Sequence, residues 1–155
     1  MRKFFFITCV TILAIPICSL AAWAQKSSET KPDAQKQAAS VLQSSPAYAE
    51  LLLKRTELQS ELESLILDYT EEFPKVKEDR FMMALIDRDI ARLGKTKASE
   101  SSKLTLALGK LMARKIELET DLWNLQKSYQ DGHPDVKKAK RKLEIYDTAI
   151  DQILN

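Results

Sequence analysis

The sequence predicts an all-α protein of four helices, arranged as two tandem antiparallel hairpins that resemble short coiled coils. Three observations predict this. Beyond residue 45, apolar residues recur at alternating three- and four-residue steps, which places them along one side of each helix. No segment alternates apolar and polar in the manner of a strand, and the chain holds only three glycines. Finally, the chain repeats itself. Shifted by 60 positions and without a gap, residues 45–94 show twelve identities with their later counterparts. These are Ala47/Ala107, Leu51/Leu111, Glu57/Glu117, Leu58/Leu118, Leu62/Leu122, Leu65/Leu125, Tyr69/Tyr129, Pro74/Pro134, Val76/Val136, Lys77/Lys137, Asp87/Asp147 and Ile90/Ile150.

The first element is a leader at 1–24. A short positive start ("MRK"), the apolar run "FFFITCVTILAI" and the small-residue site Ala22-Trp23-Ala24 form the three-part pattern of a secretory signal peptide, with cleavage expected after Ala24. The apolar stretch extends to Ala22, so an uncleaved N-terminal anchor in the inner membrane is the alternative, because about 20 apolar residues span a bilayer. A lipoprotein reading of Cys18 is disfavoured by the bulky Ile17 before it. Both cysteines, Cys9 and Cys18, leave with the leader, which excludes disulfides and thiol chemistry from the exported part. Arg2 and Lys3 leave too, so the 24 basic residues fall to 22 against 22 acidic ones. A chain of balanced charge offers no electrostatic footprint for nucleic acid.

Residues 25–45, rich in Ser, Gln, Lys and Ala, read as a flexible linker. The first hairpin repeat follows at 46–94. Ser45 is placed to cap its first helix, with Pro46 in the first turn. The seam of the first arm is Tyr48, Leu51, Leu58, Leu62, Leu65 and Tyr69, with Arg55 at the one missing position. The second arm carries Val76, Met83, Ile86, Ile90 and Leu93, with Asp79 as its polar exception. A connection is expected at 95–102, where Gly94 stops one helix and serines are available to cap the next. The second repeat, at 103–155, has the seams Leu108, Leu111, Leu118, Leu122, Leu125, Tyr129 and then Val136, Ala139, Leu143, Tyr146, Ile150, Ile153.

The frames "YTEEFPKVK" (69–77) and "YQDGHPDVK" (129–137) mark the hairpin tips. Tyr closes one arm, four residues turn the chain, and Pro74 or Pro134 starts the next arm at a position where its missing N–H has no partner to lose. Gly132 is expected to supply a left-handed helix stop. Val76 and Val136 open the new seams. Arms of about 20–25 residues reach roughly 30–38 Å at 1.5 Å per residue. Two such hairpins form either an up-down-up-down four-helix bundle or two elongated hairpins in line.

Little in the sequence points to catalysis. His133, the only histidine, has just Asp131 and Asp135 near it and stands where repeat one has Phe73; a helix cap accounts for it better than a metal ligand. Asp87 and Asp147 recur at equivalent places, and folding each hairpin at its tip brings them near the seam residues Arg55 and Lys115. Register-fixing charge pairs are the expectation. The lysines of "VKKAKRKLE" (136–144) fall off the seam, on the solvated face, and the aromatic residues are too scattered for a base-stacking platform. Trp123, beside seam residue Leu122, is expected to mark a contact with the other hairpin. There is no phosphate loop, nucleophile elbow or HExxH pattern. No catalytic, cofactor or metal site is therefore expected, and the chain reads as a non-enzyme.

The tip element Tyr129, His133, Pro134 and Val136 resembles the Tyr-x-x-x-His-Pro-x-Val element in the periplasmic coiled coils of polysaccharide chain-length determinant proteins, the polysaccharide co-polymerases. Repeat one keeps Tyr69, Pro74 and Val76, with Phe73 in place of the His. The resemblance covers the tips and loosely the flanking heptads, and it implies a helical hairpin with no catalytic residue to carry over. The expected function is that of an exported coiled-coil scaffold of the bacterial cell envelope, accessory to surface-polysaccharide assembly or export. It would act through protein partners or self-association on its helix faces. The alternative is a small periplasmic holdase chaperone of the Skp-like or Spy-like kind.

Overall fold

The computed structural model describes residues 39–155. The leader at 1–24 and linker positions 25–38 lie outside the described residues. Those described are all-α: α1 (Pro46–Asp68), α2 (Pro74–Leu93), α3 (Leu106–Ser128) and α4 (Pro134–Leu154), with a 3-10 turn at Ala98–Lys103 between α2 and α3. Residues 39–43, read from the sequence as linker, are also helical, and Leu42 packs against the core.

Local chemistry accounts for the ends. Ser45 Oγ accepts the Tyr48 N–H at 3.3 Å to cap α1, and Pro46 sits in its first turn. Thr105, rather than one of the serines expected to cap the next helix, caps α3 by accepting the Leu108 N–H at 3.2 Å. The serines are used instead in the 3-10 turn. Gly94 caps α2 in a right-handed conformation (φ −63°), so the chain leaves this helix without a left-handed step. Leu104 is buried and its carbonyl accepts the Ala47 N–H at 3.3 Å, which fastens the connection to the start of α1. Lys103 extends its ammonium to the Leu154 and Asn155 carbonyls at 3.1 and 3.3 Å, occupying orphan acceptors at the end of α4.

Helix α1 packs against both α2 and α3, α2 against α3, and α3 against α4. The short turns after α1 and α3 make each consecutive pair antiparallel. Between the repeats, Lys54 meets Glu117 at 3.6 Å while the backbone at Gly109 lies against Ala47, so α1 and α3 run parallel. Both tips therefore lie at the same end, and the two hairpins stand side by side rather than in line. A Cβ on Gly109 would sit 2.9 Å from Glu50 Cβ and 3.0 Å from Ala47 Cα; the absence of a side chain is what lets α1 and α3 approach. The core joins seam residues of both repeats (Leu51, Leu58, Ile86, Leu108, Ile150) with residues off the seams: Ala47, Met82, Leu85, Met112 and Ile116.

Candidate functional site

The two tips share one backbone design. Tyr69 and Tyr129 cap α1 and α3 in extended conformations (φ −126° and −129°), their N–H groups held by the Leu65 and Leu125 carbonyls at 2.8 and 2.9 Å. Phe73 and His133 begin the next helices with φ of −61° and −63°, donating to the Thr70 and Gln130 carbonyls. Each ring at this position stacks on the preceding tyrosine: Tyr69 on Phe73 and Tyr129 on His133, both with centroids 4.1 Å apart. The spacing of four residues between Tyr and the ring before Pro is thus the requirement of a stacked aromatic staple. Both tyrosines remain about half exposed, while Val76 and Val136 are fully buried. His133 adds a cap that Phe73 lacks, its Nδ1 accepting the Asp135 N–H at 3.3 Å.

Gly132 does something other than expected. Its φ lies outside the left-handed region, and a Cβ placed there would meet nothing within 4 Å. The extended Tyr129 and the ring of Pro134 already end one helix and start the other, so no left-handed residue is needed. A feature absent from the sequence reading also repeats here. Arg80 pairs with Glu71 across the first tip, and the equivalent Lys140 pairs with Asp131 at 2.9 Å across the second. The hydrogen bonds from Lys140 and Gln126 hold the Asp131 carboxyl below the usual carboxylate range.

The seam charges come together in both hairpins. Arg55 Nε donates to Asp87 Oδ1 at 2.7 Å, and this bond raises the guanidinium's pKa. Lys115 Nζ stands 2.9 Å from Asp147 Oδ1 and 3.3 Å from Glu119. The environments differ: Lys115 is buried, whereas Arg55 is partly open to solvent.

Between the hairpins lies a third set of contacts. Trp123 stacks on Phe81 with centroids 4.6 Å apart and takes the Lys127 ammonium on its ring at 3.2 Å. Arg88 reaches Glu119 at 2.9 Å, Asn124 donates to Glu78 at 2.6 Å, and Arg92 pairs with Asp151. Two carboxylates are buried on α2. Asp79 bonds Lys75 at 2.8 Å and Asp89 bonds Arg88 at 2.9 Å, yet the second oxygen of each has no protein partner. Burial raises the Asp79 pKa against the opposing pull of Lys75. The sequence pointed to Asp79 on the seam and to Trp123 beside it, but not to Asp89 or to the other inter-hairpin residues, which lie a step off the seam. The available signal was divergence between repeats, since Phe81 and Met82 correspond to Arg141 and Lys142.

Among the described residues no group of three or more His, Cys, Asp or Glu side chains is placed to hold a metal, and no helix is long and apolar enough to cross a membrane. The chain matches no protein-family model, no curated protein and no solved structure.

Proposed function

We propose that this chain is a non-enzymatic scaffold of the bacterial cell envelope that works through its helix faces. The observation that carries this reading is two solvent-facing apolar pairs on α1, Leu52–Leu53 and Ile66–Leu67, about 20 Å apart along the helix, with Leu67 84% exposed. Large apolar side chains in water on an otherwise charged helix mark a surface for other proteins. The tip element, with its stacked rings, supports a setting in surface-polysaccharide assembly, and the leader supports export.

The test is photo-crosslinking in living cells from residues introduced at Leu53 and Leu67, combined with cell fractionation. Discrete adducts in the envelope fraction are expected. A cytoplasmic protein, or one that forms no adduct, overturns the reading. The exposed apolar pairs also suit a holdase, whose signature would be a continuum of client adducts and suppression of a client's thermal aggregation in vitro. Discrete adducts without such suppression favour the scaffold.

A further inference from the structure

The two hairpins are copies, but they do not meet through the same face. Hairpin one approaches hairpin two with Ala47, Glu50 and Lys54 on α1 and with Glu78, Phe81, Arg88 and Arg92 on α2. Hairpin two answers with Gly109, Glu117, Glu119, Trp123, Asn124 and Asp151. Moved back by 60 positions, the answering residues become Ala49, Glu57, Gln59, Glu63, Ser64 and Ala91, none of which belongs to the first set. The contact is therefore heterologous, and each hairpin has one face used and one face vacant.

Both vacant faces are open. On hairpin one, Ala49, Leu52, Leu53, Glu57, Gln59 and Glu63 are all exposed, although Met112 and Ala113, the counterparts of Leu52 and Leu53, pack into the core. On hairpin two, the counterparts of the α1 and α2 contact residues include Lys110, Arg114, Lys138, Arg141, Lys142 and Ile145, again all exposed. A depression of about 480 Å³ runs along α4 there, lined by Arg141, Glu144, Ile145, Thr148, Ala149 and Gln152.

We infer that these two faces bind each other between copies of the chain, α4 and α3 of one docking on α1 of the next by the same faces as hairpin one and hairpin two within the chain. The helices are set further apart at Ala49, which carries the Cβ that Gly109 lacks. Charge complementarity selects a second copy as the occupant. The internal pair Lys54–Glu117 becomes Arg114 against Glu57 of the next copy, with the same signs. The internal Phe81–Trp123 stack becomes Arg141 against Glu63, an opposite pair. A mainly basic face, on which Arg114 exchanges its pairing with Glu117 for Glu57 and Arg141 its pairing with Glu144 for Glu63, thus meets an acidic one, and the exposed Leu52, Leu53 and Ile145 find cover. A heterologous contact generates a ring if its rotation closes and an open filament if it does not.

This inference rests on the scaffold reading and names its partner, yet the two fail separately. Crosslinking in cells tests the scaffold, whereas self-docking is read from mass. The whole chain, in mild detergent, is examined by analytical ultracentrifugation over a range of concentrations and salt. Mass rising with concentration and falling with added salt is expected. Ile145→Asp and Leu52→Asp, each at an exposed position, should each abolish assembly with helicity unchanged. Mixed in equal amounts, the two variants should form a dimer and stop, because each retains the face the other needs. A wild-type chain that stays monomeric overturns the inference. So does a mixture that stays monomeric, or assembly lost in only one variant, which is the mark of a symmetric contact.

Discussion

Helices α2 and α4 are the same element made twice, yet α2 buries seven residues and α4 three. They begin alike, with Pro at the first position, a buried Val two residues on, and an aspartate later that meets a basic seam residue across the hairpin. They diverge on one side. Met82, Leu85 and Asp89 of α2 are buried, while the equivalent Lys142 and Ile145 of α4 are exposed and Ala149 is half-buried. The tip and the seam make a hairpin, and that requirement is met identically in both copies. The flank determines what the hairpin stands beside, and there the copies differ in chemistry.

Emptying the flank has the largest expected effect. Leu85→Ala should cost about 2–5 kcal/mol in urea unfolding, as buried large-to-small changes do, whereas the equivalent Ile145→Ala should stay within about 0.5 kcal/mol at protein concentrations too low for self-association. Equal losses would mean that α4 is covered as α2 is. Next in size is the close helix crossing. Gly109→Leu must push α1 away from α3 and should cost about 3 kcal/mol, but Ala49→Leu at the equivalent open position should be nearly neutral.

The seam charges sharpen the contrast at a smaller scale. Asp147→Ala leaves the buried Lys115 with only Glu119, and should cost about 1–2 kcal/mol, below the figure for complete burial because the acids remain partly solvated. Asp87→Ala releases the more exposed Arg55 and should cost under about 1 kcal/mol. Double-mutant cycles on the two pairs read this difference directly, and equal coupling energies would contradict it.

A further effect of similar size has the opposite sign. Asp79 is buried where repeat two has Ala139, and its pKa is raised on folding. The folded state then holds more protons than the unfolded state between the ordinary carboxylate pKa and the raised one, so stability falls as pH rises through that window. Asp79→Ala should therefore stabilise the protein by about 1 kcal/mol at neutral pH, and the gain should vanish in acid. Lys75 keeps Glu61 at 3.3 Å as a partner. A variant less stable than wild type at neutral pH would show that the buried carboxylate is a net support.

The difference between seam and flank also decides what the sequence could reveal. Seam residues follow a period, and the pairs Arg55–Asp87 and Lys115–Asp147 stand where folding the register at the tip puts them. The tips were legible because Tyr, Pro and Val recur in one frame. The flank has no period of its own. Its members include Asp89, Thr120 and Gly109, which no hydrophobic pattern selects, and Thr120 is buried only by returning its hydroxyl to the Ile116 carbonyl at 2.9 Å. Gly132 was misread because a glycine near a helix end suggests a left-handed stop, while here an extended tyrosine makes the stop. The choice between bundle and in-line hairpins lay in the flank, and could not be read from seams that are the same in either arrangement.

Tip-to-tip distance distinguishes side-by-side hairpins from hairpins in line. Spin labels at Thr70 and Gln130, one in each tip, can be measured by pulsed electron resonance in labelled chains diluted with unlabelled ones. Side-by-side hairpins with neighbouring helix axes about 8–10 Å apart predict one narrow distribution, centred at about 20 Å or less. A distribution centred beyond about 30 Å, the length of a single arm, would place the tips at different ends and contradict the packing of α2 against α3.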